Sequence, residues 1–91
     1  MYYLIICEHK PDTQDIRRSV NTAHLEHINT LKNRCGTFYA DKVQCETDNP
    51  NGTLIIAEFN SLNDAKAWAC ADPFATAEVY ARILVYPYRD L

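Results

Sequence analysis

From Thr37 to Phe59 the chain reads TFYADKVQCETDNPNGTLIIAEF. Two aromatic and β-branched stretches, Thr37 to Glu46 and Thr53 to Phe59, flank Thr47-Asp48-Asn49-Pro50-Asn51-Gly52. That linker is dense in turn formers and closes on an Asn-Gly pair, a hairpin signal. Two strands joined this tightly pair antiparallel, because a parallel pair needs a long crossover. The hairpin is the centre from which the rest of the chain is placed.

On its N-terminal side, Gly36 is expected to end a helix as a left-handed cap. That helix is predicted to start at Asp12 or Thr13 and run to about Arg34, with Asp15 near its positive end. Ile16, Val20, Ala23, Ile28 and Leu31 recur along it at helical spacing. Before it, Glu8-His9-Lys10-Pro11-Asp12 is polar and broken by proline, so a loop with a solvated His9 is expected. Tyr2 to Cys7 is the first strand. On the C-terminal side, Asn60 to Asp64 opens a second helix that Ser61 can cap. It continues through Ala65, Trp68 and Ala69 until Asp72-Pro73 interrupts it. Asp72 is expected to cap a short helical segment from Phe74 to Val79, and Arg82 to Tyr88 is the last strand.

The order β-α-β-β-α-β is the ferredoxin-like split βαβ plan. The expected fold is α+β: a four-stranded antiparallel sheet with helices on one face and a short extra helix. Leu4-Ile5-Ile6 and Leu54-Ile55-Ile56-Ala57 are apolar toward both faces, and Tyr2, Tyr3, Tyr39, Tyr86 and Tyr88 add rings. An uncovered apolar sheet face marks an interaction surface. Its expected cover is a second copy of the same sheet, giving a two-fold homodimer and a dimeric α/β barrel. A cleft between sheet and helices then offers a small-molecule pocket.

The 91 residues allow one domain, residues 1–91. The net charge is −3 and the longest basic run is Arg17-Arg18, which argues against a nucleic-acid partner. No apolar run approaches the ~20 residues of a membrane span, and no signal peptide is visible at the N-terminus. Cys7, Cys35, Cys45 and Cys70 show no CxxC spacing and read as free thiols in a reducing cytoplasm. With only Gly36 and Gly52, no glycine-rich phosphate loop exists, which argues against bound nucleotide.

Three residues of the first helix could line one wall of a pocket. Taking about 100° per residue from Ile16, His24 falls near 80°, inside the apolar stripe, with Arg17 near 100° and Asn21 near 140°. A buried imidazole needs a partner. One reading makes His24 an acid–base group and Arg17 an anchor for an anionic oxygen; the other makes His24 a core residue bonded to a carbonyl. His27, three residues from His24, could join it on a metal, but two histidines are a weak ligand set and no metal site is assigned. Asp72 is first a helix cap. Its second oxygen could still accept from an imidazole and fix its tautomer. Trp68, Phe74 and Tyr80 read first as core, with Phe74 beside Asp72 also a candidate substrate contact.

Met1-Tyr2-Tyr3-Leu4-Ile5-Ile6, Arg17-Arg18-Ser19-Val20, Ala23-His24-Leu25, Ile56-Ala57-Glu58-Phe59, Ala67-Trp68-Ala69, Ala71-Asp72-Pro73-Phe74 and Val79-Tyr80 follow in an order that resembles the YCII-related (YciI-like) proteins across essentially the whole chain. The resemblance implies a dimeric ferredoxin-like α/β barrel with a histidine and an aspartate together in a pocket. Carried over, these are His24 and Asp72, with Arg17 as the helix arginine. The chain departs from that pattern at Asn21, where relatives often carry a second arginine. It departs again at Ala40-Asp41-Lys42-Val43, where they carry Ala-Gly-Pro, and in a shorter loop before the third strand. The expected function is acid–base chemistry of elimination or isomerisation type on a small, cyclic or aromatic substrate. His24 and Asp72 would be the catalytic dyad, with Arg17, Asn21 and Phe74 at the substrate and no redox cofactor. The alternative is a non-catalytic dimer that binds a small molecule or serves as an accessory protein.

Overall fold

The computed structural model describes residues 1–31, 34–39 and 52–89, with residues 34–39 described in backbone only. The elements are β1 (Tyr2–His9), α1 (Gln14–Ile28), β2 (Arg34–Tyr39), β3 (Gly52–Glu58), α2 (Leu62–Cys70), α3 (Pro73–Thr76) and β4 (Tyr80–Tyr88). The strands form one sheet in the order β2-β3-β1-β4, and every neighbouring pair is antiparallel. Residues 40–51, including the expected end of the second strand, the Thr47–Asn51 turn and the Ala40–Val43 departure, lie outside the described residues.

The register sorts the strands by face. Tyr3, Ile5 and Cys7 sit opposite Ala57, Ile55 and Thr53 and are buried with them. Ile83 and Val85 of β4 continue this row beside Cys7 and Ile5. Ile5, Cys7, Ile55 and Ala57 make the core with Ile28, Ala69, Phe74, Val79 and Tyr80, and Ile83 and Val85 pack against it. The alternate residues Leu4, Ile6, Leu54, Ile56 and Leu84 are half-buried on the other face, where Tyr86 and Tyr88 are 49% and 42% exposed. Along these residues the second face is apolar and only half-buried.

One irregularity in this register positions the site. Glu8 pairs with Arg82, but His9 pairs with Tyr80, so Ala81 is an extra residue on β4. A bulge of this kind re-aims the side chains on either side of it. Strict alternation from Val85 and Ile83 would turn Ala81 inward; instead Ala81 is exposed and Tyr80 is buried. Strand pairing also carries β1 to His9 and starts β4 at Tyr80. The expected loop at Glu8–Asp12 therefore begins two residues later, and the last strand two residues earlier, than the sequence suggests.

The helices correct the sequence reading in several places. The first helix ends at Ile28, not near Arg34, because the His27 carbonyl accepts from the amide and hydroxyl of Thr30, at 3.1 and 2.6 Å. Gly36 is then a β2 residue opposite Ile56 and caps nothing. Of the expected stripe, Ile16 and Ala23 are exposed, Val20 is half-buried, and only His24 and Ile28 are fully enclosed. Thr13 stands at the N-cap without a side-chain cap bond and donates to the Lys10 carbonyl. Ser61 caps α2 as expected, accepting from the Asp64 amide at 3.1 Å.

The short helix after Asp72 runs from Pro73 to Thr76 rather than from Phe74 to Val79. It closes with the Val79 amide on the Phe74 carbonyl and the Glu78 amide on the Ala75 carbonyl. This is a Schellman motif, with Glu78 in the left-handed region at φ 62° where glycine is usual. The motif stacks Val79 and Phe74 on the core side of the chain.

Gly52 begins β3 opposite Glu8, and a Cβ there would run into the Cys7 carbonyl and close on the Glu8 Cα. Both obstacles are backbone and cannot swing away. Gly52→Ala is expected to lower stability by about 1–3 kcal/mol, a cost typical of overpacking. Urea unfolding measures this directly; unchanged stability would show that β1 and β3 separate freely at that end.

Candidate active site

Helix α1 packs against α3 and brings His24 to Asp72. His24 Nδ1 lies 2.7 Å from Asp72 Oδ1, and both side chains are almost wholly enclosed. The same Oδ1 accepts the Phe74 amide at 2.9 Å, and Oδ2 accepts the Tyr80 hydroxyl at 2.8 Å. Burial pushes the Asp72 carboxyl up. The hydrogen bonds from His24 and the Phe74 amide, the charge His24 carries when protonated, and the Tyr80 hydrogen bond outweigh it and hold the carboxyl below its ordinary value. Asp72 is therefore a carboxylate with three donors converging on it.

That arrangement fixes the imidazole. A carboxylate only accepts, so Nδ1 carries the hydrogen and the neutral ring keeps its lone pair on Nε2. His24 Nε2 is buried and has no hydrogen-bond partner among the described residues. An imidazole nitrogen that keeps its lone pair can act as a base.

The groups behind the carboxylate stay neutral. Burial, then the negative charge that Cys7 and Asp72 would carry, push the Tyr80 hydroxyl far up, so it remains a donor. Burial, and after it Asp72, push the Cys7 thiol up to about 12. It is no nucleophile near neutral pH. Cys7 and Cys70 are free thiols; the side chains of Cys35 and Cys45 lie outside the described residues.

Aromatic rings enclose the dyad. Phe74 stacks flat on His24, with centroids 3.8 Å apart and planes within 3°. Tyr80 meets Phe74 edge-on at 5.9 Å. His9 stacks on Tyr80 at 5.7 Å and meets Phe74 edge-on at 5.9 Å. Arg17 reaches the same cluster, its guanidinium 3.2 Å from His9 Nδ1. Its Nε also donates to the Thr13 carbonyl at 3.4 Å.

The candidates named from the sequence thus separate. His24, Asp72 and Phe74 are in mutual contact, and Arg17 joins them through His9. Asn21 stands exposed one turn before His24. His27 turns elsewhere: its Nε2 donates to the Trp68 carbonyl at 2.8 Å and its ring stacks on Trp68, which pins α1 to α2. His9 and Tyr80 are the members the sequence reading set apart, one as a solvated loop residue and the other as core. His9 is instead half-buried at the end of β1.

Tyr80 can be tested through stability. Tyr80→Phe removes one donor to a buried carboxylate while keeping the ring. It should cost about 1.5–3 kcal/mol, the range for a hydrogen bond to a charged group. Chemical denaturation of the two proteins side by side checks this, and equal midpoints would show that the hydroxyl does not hold Asp72.

The YCII-related domain matches residues 1–89. The chain belongs to the YCII-related family. Protein YciI of Escherichia coli O6:H1 is 35% identical over 97 aligned positions, covering 100% of this chain and 99% of the relative. An uncharacterized protein of Haemophilus influenzae is 34% identical over 98 positions at the same coverage. Among solved structures, the 5-chloro-2-hydroxyhydroquinone dehydrochlorinase of Burkholderia phenoliruptrix, in complex with 2,5-dihydroxybenzoquinone, superimposes with a TM-score of 0.84. The match covers 98% of this chain and 94% of that one at 24% identity, and shows a shared α+β fold. No helix among the described residues is long and apolar enough to cross a membrane.

Proposed function

We propose that the protein is a small acid–base enzyme that eliminates or isomerises a cyclic, oxygenated organic substrate. One observation carries the proposal: an ionised Asp72 holds the His24 Nδ1 hydrogen and leaves as the base a buried Nε2 that has no hydrogen-bond partner among the described residues. In this reading Nε2 takes a proton from the substrate, and Asp72 supports the imidazolium that forms. Arg17 faces an anionic oxygen of the substrate, with Phe74 and Asn21 bordering it. Nε2 is buried, so the substrate displaces part of its cover before it reacts.

The substrate class draws support from the structural neighbour, whose name describes loss of HCl from a hydroxylated ring and whose bound compound is a hydroxylated quinone. Loss of HX moves one proton and one leaving group and consumes no external electrons, so no redox cofactor enters. The working unit in this proposal is a homodimer of single-domain chains, residues 1–91, in the cytoplasm. Support comes from the apolar sheet face with its exposed Tyr86 and Tyr88, and from the two free thiols.

The test is a panel of halogenated and plain hydroxyhydroquinones, followed by chloride release, ultraviolet–visible spectra and melting temperature. Turnover of a ring substrate is expected. A compound that raises the melting temperature without being consumed would assign binding alone.

A further inference from the structure

We propose that His9 is the oxyanion donor of this site, working as a pair with Arg17 and opposite in tautomer to His24. The inference rests on the acid–base reading above and names what the site recognises: a planar ring carrying a phenolate or enolate oxygen.

A guanidinium only donates, so at 3.2 Å His9 Nδ1 must accept from Arg17. The neutral His9 ring then carries its hydrogen on Nε2. His24 carries its hydrogen on Nδ1, directed at Asp72. The two imidazoles therefore present complementary Nε2 atoms, a lone pair on His24 and a hydrogen on His9. They belong to one cluster, because the Phe74 ring touches both, and Tyr80 links the His9 ring to the Asp72 carboxylate. The strand pairing with Tyr80 beside the Ala81 bulge places His9 there.

The division of labour follows. His24 Nε2 takes the substrate proton, and the electron pair left behind gathers on a ring oxygen. His9 donates its Nε2 hydrogen bond to that oxygen and keeps its proton, while Arg17 polarises His9 and supplies the positive charge. Donors placed in advance where charge develops act strongly in an enclosed site. The surrounding Phe74 and Tyr80 rings suit a planar substrate.

The experiment measures binding of 2,5-dihydroxybenzoquinone, an anionic ring compound, to the native chain, His9→Gln, His9→Leu and His24→Asn by calorimetry. Nitrogen-15 NMR of the native His9 ring accompanies it. His9→Gln keeps an N–H donor and should bind within a few-fold of the native chain. His9→Leu should lose about tenfold or more, as expected for a hydrogen bond to a charged group. The NMR should place the His9 hydrogen on Nε2. Equal binding by His9→Leu, or a hydrogen on Nδ1, overturns the inference and leaves the His24–Asp72 reading standing. No binding by the native chain overturns the ring-oxyanion class, and this inference with it. If His9→Leu does not fold, the Gln variant and the tautomer decide.

Discussion

Asp72→Leu is expected to destabilise the protein by about 3–5 kcal/mol, the scale for leaving buried charge-pairing groups without their partner. Leucine nearly fills the space but accepts nothing. It strands the His24 Nδ1 hydrogen, the Phe74 amide and the Tyr80 hydroxyl in an enclosed region, and each orphaned donor costs about 1–3 kcal/mol. Small domains are stable by only about 5–15 kcal/mol, so this one change removes a large share. Asp72→Asn should be milder. The Phe74 amide can only donate, so the amide oxygen must take the Oδ1 position and still accept from His24. The new NH2 then faces Tyr80, whose hydroxyl can turn to accept. Urea unfolding of both variants tests the ordering; a Leu variant as stable as the Asn variant would mean that Asp72 is no hub.

The same carboxylate sets a pH dependence. Its folded value is depressed below the unfolded value of about 3.9. Its contribution is therefore present above the unfolded value and is lost as pH falls through the folded one. Asp72→Asn should flatten that acid limb. An acid limb equally steep in the variant would assign it to other carboxyls.

The second large effect is on chemistry. His24→Asn keeps an N–H where Nδ1 donates to Asp72 and removes Nε2. The variant should fold and keep Asp72 ionised, yet turn over the ring substrate about 10²–10⁴-fold more slowly, the range for losing a general base. Steady-state kinetics on the hydroxyhydroquinone that the native chain turns over and the circular dichroism of both proteins are the readouts. A folded variant with unchanged turnover removes His24 from the mechanism. Because Asp72→Asn preserves the tautomer but not the charge, its rate separates holding the ring from supporting the imidazolium.

Much of this site is legible along the chain, and the remainder is not for definite reasons. Helical spacing turns His24 inward, and Asp72-Pro73 announces a capped helix start; one carboxylate with two oxygens can serve both. His9 is hidden because Glu8-His9-Lys10-Pro11 is polar and proline-broken, and only pairing, of Glu8 with β3 and β4 and of His9 with β4, makes its first two residues strand. Tyr80 is hidden for a related reason. The alternation of Ile83 and Val85 points to Ala81, and the bulge that substitutes Tyr80 is a property of the pairing, not of either strand alone. Gly36 misleads in the other direction. A glycine after a helical run suggests a cap, but Thr30, held also by Trp68 Nε1 from α2, closes the helix before Gly36 is reached. Asn21 shows the limit of the wheel. Near 140° it lies just past the enclosed arc, and it is exposed.

The most direct test of the central claim is the nitrogen-15 NMR spectrum of the His24 ring in the native protein at mildly alkaline pH. The arrangement of Asp72, Phe74 and Tyr80 requires the hydrogen on Nδ1 and a bare Nε2. A hydrogen on Nε2 would leave no base where the account needs one, and would contradict it.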